Sequence, residues 1–181
     1  MQPSRIVVAF CFAALLNTRA IQAGAVGPAL ADVPVMPRSK HSIVIAVLGQ
    51  EMTISTAALT VLPAVQVSVP AGTADGAPEQ IFGGPLLWTV LAQVGAVDPT
   101  KQQDQVRGTV TIIGRDDDTA VLALGELSPE FEGKQVILAI REDGQPLHAA
   151  LPRLVVPGDK HGGRGIPDVI RMVVTVLSGK Q

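Results

Sequence analysis

The sequence predicts an α+β fold, a β-rich mixed or antiparallel sheet with a few short helices. Three observations carry this. β-Branched runs suited to strands outnumber helical stripes, the helical segments are short and separated, and nothing in the order resembles the alternation of a βαβ ladder. At 181 residues the chain suits one domain with a real core, and 47% hydrophobic against 17% charged residues excludes a disordered chain.

The first residues stand apart from the fold. Arg5 precedes an apolar run over 6–16, and the small residues Ala23-Gly24-Ala25 and Ala29-Leu30-Ala31 follow. This is the pattern of a secretory signal peptide over 1–25, with cleavage as late as 31, and an uncleaved anchor is the alternative. A single domain over 32–181 would then lie in the periplasm or outside the cell, with no stable membrane insertion. Cys11, the only cysteine, lies in the apolar run, so the mature chain has no thiol, disulfide or Cys–His zinc site.

Residues 32–40, with Pro34 and Pro37, read as an extended lead-in. Residues 42–48, SIVIAVL, read as a strand buried on both faces; Gly49-Gln50 turns it and 52–54 pairs back. Ser55 or Thr56 caps a short helix through Leu62, closed by Pro63. Residues 65–69, VQVSV, alternate as a half-buried strand, and 71–79 form an exposed loop. Pro85 suits the first position of a helix over 86–94. Its stripe is Leu86, Leu87, Val90, Leu91 and Val94, and Gly95 ends it in the left-handed region. Trp88 packs beside that stripe or lines a pocket, with packing favoured.

Residues 98–105 read as a polar connection, 106–114 as a strand, 115–118 as an acidic turn and 119–124 as the returning strand. Asp116, Asp117 and Asp118 are consecutive, whereas a calcium loop needs alternating ligands. Residues 125–131 hold a turn of helix containing Pro129, 135–140 a strand, and 142–145 a turn.

A net charge of −2, 3% aromatics and no tyrosine exclude nucleic acid as a partner. His41, His148 and His161 lack zinc-site spacing, and no nucleophile elbow, phosphate loop or dinucleotide fingerprint occurs. The chemistry concentrates in 151–174. Two β-branched runs, 153–156 and 169–176, flank a loop with four glycines and Asp159, Lys160, His161 and Arg164. Such a loop can present backbone N–H groups to an anion, with Lys160 and Arg164 adding charge and a protonated His161 a further donor. An arginine fork suits a phosphate. The plain alternatives are a polar hairpin tip with solvated charges, or an Arg164 strut pairing with an acid such as Asp159 or Asp168.

Four stretches carry a resemblance to a known family. Residues 81–95, IFGGPLLWTVLAQVG, are similar to a "Y-x-G-x-P-L-x-x-L-L-x-x-A-G" helix, and 122–131, LALGELSPEF, to "L-A-E-L-D-P-x-F". Residues 136–147 are similar to an "L-L-A-x-x-x-D-G-x-P-L" hairpin, and 153–168, RLVVPGDKHGGRGIPD, to "R-L-V-x-P-G-D-x-x-x-x-R-x-V-x-x-V". Over roughly 42–176 the chain thus resembles the molybdopterin-binding domain of the sulfite oxidase fold, in its small exported, stand-alone form.

The resemblance implies a pterin cofactor, with Arg153, Asp159, Lys160, His161 and Arg164 as the cofactor-binding set and a redox partner subunit. Catalytic members of the family hold molybdenum through a cysteine thiolate, a soft donor suited to a metal already bound by sulfur. No cysteine follows Cys11, Asp117-Asp118-Thr119 stands where the family has "D-G-Y", and Leu151-Pro152-Arg153-Leu154 lacks the glycine of "G-P-x-R-L". The resemblance assigns no metal ligand and no catalytic residue here. It leaves three readings: a module holding a pterin cofactor or related anion, an oxidoreductase using molybdenum without a protein thiolate, and a cofactor-free extracytoplasmic interaction domain.

Overall fold

A computed structural model describes residues 41–72, 77–149, 151–159 and 163–177. All belong to one compact unit, Pro37–Gln181. The signal-peptide reading lies outside the described residues, as does the whole proline-rich lead-in.

The central sheet has five strands. β1 (Ser42–Val47) turns back into β2 (Gln50–Ser55), and β5 (Gly108–Gly114) into β6 (Thr119–Ala123). Between these two hairpins lies β11 (Val169–Val176), parallel to β1 and antiparallel to β5, giving the order β2-β1-β11-β5-β6. A second sheet of four strands comprises β3 (Ala64–Pro70), β4 (Glu79–Pro85), β8 (Arg141–Glu142) and β9 (Gln145–Pro146). β7 (Ile137–Ala139) and β10 (Arg153–Val155) form a separate antiparallel pair. The predicted class, α+β and β-rich, is the one observed.

The main core lies on the inner face of the five-stranded sheet. Ile43, Ile45, Ile112 and Met172 are fully buried against Leu87, Val90 and Leu91 of α2 (Leu87–Gln93). Trp88 packs into the same core at 9% exposure, as its place beside the stripe predicts. β1 is buried over four consecutive residues, because it sits inside the sheet and is covered. A smaller core joins Val67 and Phe82 to Ile137, Ala139 and Val155. It requires β4 and β7 to approach closely: a Cβ at Gly84 would collide with the carbonyl of Leu138, so only glycine fits.

Several boundaries differ from the sequence reading. Pro85 ends β4 opposite Ala64 and does not open a helix; a strand end tolerates a residue without an N–H. α2 starts one residue after Leu86, which bridges to Ile137, and Gly95 follows it at φ 72° as expected. α1 (Thr56–Leu59), capped by Ser55 Oγ accepting from the Ala58 N–H at 3.1 Å, stops short of Leu62. The polar stretch 98–105 contains part of a helix, α3 (Gln102–Arg107). It is anchored by buried Gln105, which donates to the carbonyls of Asp98 and Pro99 and accepts from Ser128 Oγ at 2.6 Å. α4 (Leu124–Leu127) ends before Pro129.

Two hairpin tips have two-residue loops with both residues at positive φ. Asp143-Gly144 (48° and 80°) is the favoured chemistry for that turn. Leu48-Gly49 (47° and 80°) joins β1 to β2, one residue earlier than Gly49-Gln50.

Candidate functional site

β10 pairs with β7, whereas β11 pairs with β1 and β5, so the 156–168 connection crosses from one sheet to another. It is not the tip of a hairpin. The crossing gives its charged residues partners from distant parts of the chain.

Arg164 is clamped. Its Nε donates to Asp159 Oδ2 at 2.8 Å and its Nη2 to Asp159 Oδ1 at 2.6 Å, a two-pronged carboxylate contact across the loop. Its Nη1 donates to Glu126 Oε1 of α4 at 3.0 Å. Lys134 Nζ completes the cluster, 3.4 Å from Glu126 Oε1 and 3.7 Å from Asp159 Oδ1. Two acids and two bases thus neutralise one another in partial burial. For Glu126, burial pushes toward the neutral form, but hydrogen bonds and charge from Arg164, then Lys134, outweigh it and hold the carboxyl below its ordinary value. Asp159 is held low chiefly by its hydrogen bonds to Arg164, against burial, with help from the charges of Arg164 and Lys134. The same contacts raise the Arg164 pKa, its hydrogen bonds to Asp159 first, against desolvation.

Arg153 has different surroundings. It is exposed on β10, and its guanidinium carbon lies 5.5 Å from the centre of the Phe82 ring. Among the described residues it has no carboxylate partner within ion-pair distance. A cation over a ring is attracted by the ring's quadrupole without using its N–H donors. The pair borders a cleft of about 180 Å³, also lined by Val69, Gln80, Val155, Asp159 and Gly165. Gln80 is oriented by donating through Nε2 to Glu142 Oε1 at 2.6 Å. The lining is therefore partly aromatic and aliphatic and partly polar.

Of the residues implicated by sequence, the structure brings Arg153 and Asp159 to this cleft, and ties Arg164 to Asp159 just behind it. Lys160 and His161 lie outside the described residues. Asp168 does not meet Arg164: it sits at φ 46° and faces Arg115, with Nη1 and Oδ2 3.6 Å apart. Sequence reasoning missed Glu126, Lys134, Phe82 and Gln80. Glu126 and Phe82 lie within the family-like stretches but had no assigned role, and nothing local marks Lys134 or Gln80. Among the described residues no three His, Cys, Asp or Glu side chains converge as metal ligands, and no helix is long and apolar enough to cross a membrane.

No family model and no curated protein sequence matches the chain. Among solved structures, the fold is similar to that of the sulfane dehydrogenase SoxCD from Paracoccus pantotrophus. The TM-score is 0.55 at 15% sequence identity, over 77% of this chain and 39% of that one. The chain therefore spans well under half of that protein's length, and the likeness is one of fold.

Proposed function

We propose that this chain is an exported, oxidoreductase-like domain of the sulfite oxidase fold. It holds a pterin cofactor or related anion at the Arg153–Phe82 cleft, without a cysteine ligand to molybdenum. The observation that carries the reading is Arg153: a cation over an aromatic ring, lining a cleft, with no carboxylate partner among the described residues. The motif resemblance over 153–168 and the fold likeness to a dehydrogenase support it.

The residues present fit the organic anion. Arg153 would grip a phosphate or an enolate-like edge, Phe82 and Val155 would cover an apolar face, and the clamped Asp159 would hold the loop in place. They do not offer a thiolate to a metal, since no cysteine follows Cys11. When bound, a pyranopterin dithiolene supplies a redox-active molybdenum; a partner subunit would exchange the electrons. A cofactor-free interaction domain is the second reading, favoured by the filled fork of Arg164, which removes one cation from anion binding.

Metal and pterin analysis of protein purified from its native host tests this. A co-purifying pterin that is lost in Arg153→Ala supports the proposal; folded protein free of any organic anion supports the second reading. Export is tested separately by mass spectrometry, which should find a mature chain beginning between Gly24 and Asp32. Full-length protein confined to the cytosol would remove the export claim.

A further inference from the structure

The β1–β2 hairpin tip carries the wrong residue for its geometry. Leu48 sits at φ 47° and is 82% exposed, where asparagine, aspartate or glycine is favoured. A branched apolar residue there loses on backbone conformation and on hydration together, and such outliers concentrate where a surface has work to do. Leu48 is flanked by two hollows. One, of about 250 Å³, lies against Gly49, Val174 and Val176; the other, of about 150 Å³, lies against Val97, Leu124 and α3. Leu177 (69% exposed) follows Val176 and donates its N–H to the Arg107 carbonyl at 3.3 Å, beside Val106 (66% exposed). An apolar knob, two hollows and two further exposed apolar side chains thus share one end of the five-stranded sheet, away from the residues of the Arg153 cleft.

We propose that this end is a two-fold interface between two copies of the chain, with Leu48 of each seated in a hollow of the other. The charges suit a second copy. In a two-fold contact each patch meets itself, so a patch of one sign would repel its twin. Here Asp98 and Lys101 pair within the chain at 3.6 Å. Asp104 lines the smaller hollow and Arg107 lies one turn further along α3, and among the described residues neither has an ion-pair partner. Among the described residues the patch is neutral, with one acid and one base left to pair across the axis.

Sedimentation velocity of the full chain over a concentration series should show a monomer–dimer equilibrium. Leu48→Asn relaxes the turn while deleting the knob, so it should fold at least as well and raise the dimer dissociation constant about tenfold or more. Asp104→Arg and Arg107→Asp should each weaken association, and the double reversal should restore it. A folded wild type that stays monomeric, a dimer indifferent to Leu48→Asn, or a double reversal no better than the singles would each overturn the proposal. Should a charge variant fail to fold, Leu48→Asn alone decides.

Discussion

Arg153 and Arg164 bound the same glycine-rich connection, and their guanidinium groups meet opposite surroundings. Arg164 is held by Asp159 and Glu126 with Lys134 alongside, so its charge is spent inside the domain, fastening the loop to α4. Arg153 sits over Phe82 at the border of the cleft and, among the described residues, has no carboxylate partner. Glycine content and charge do not distinguish the two. What distinguishes them is the distant chain that each meets: a pair of carboxylates in one case, an aromatic ring in the other.

The contrast can be tested by cost. Leu91→Ala sets the scale for losing a core contact: fully buried on α2, it should lower unfolding free energy by about 2–5 kcal/mol in a denaturant titration. An unchanged midpoint would mean that the α2 face carries little of the core. Arg164→Ala should cost less, about 1–3 kcal/mol. Breaking a fully buried pair costs more, but this side chain is 34% exposed and water screens part of the interaction. Arg164→Lys should recover only part of the loss, since an ammonium cannot span both Asp159 oxygens. Wild-type stability after Arg164→Ala would return Arg164 to the same class as Arg153.

Acid should show a smaller effect of the same kind. Glu126 and Asp159 titrate below their ordinary values in the folded chain, so the unfolded chain binds protons first as pH falls. Their contribution is therefore complete above the ordinary carboxylate range, near pH 4, and disappears as pH falls through the lowered folded values. Unfolding midpoints compared from pH 6 downward should fall more steeply for wild type than for Arg164→Ala. Parallel curves would show that the cluster does not stabilise the fold. Smallest of all, Arg153→Ala should change stability by no more than about 0.5 kcal/mol while weakening ligand binding. A large destabilisation would make the Phe82 stack a structural contact.

Much of the fold was legible because strands announce themselves locally. The β-branched runs of β1, β3, β5 and β11, the alternation in VQVSV, Gly95 after its helix and Asp143-Gly144 between strands all carry their reason within a few residues. α3 was not legible: its anchor is Gln105, a polar residue buried through hydrogen bonds to Pro99 and Ser128, so no apolar stripe betrays it. Pro85 misled because its fixed φ suits a helix start and an extended strand end alike. At the site, the loop's acids and bases were visible. Their pairing was not, because Glu126 and Lys134 arrive from other elements and sequence periodicity reports a face, never the residue opposite it.

The place of β11 bears on how the chain reaches its native state. The β1–β2 and β5–β6 hairpins are local and can form as soon as their own residues are available. The strand that joins them is the last of the described fold, inserted at the centre with Ile45 against Met172 and Ile112 on its other side. Until Val169–Val176 emerges from the ribosome, the two halves have open edges facing each other and no sheet between them. Pairings so distant along the sequence make for slow folding. The five-stranded sheet therefore stays incomplete, with an unpaired edge on each hairpin, until this one segment is in place.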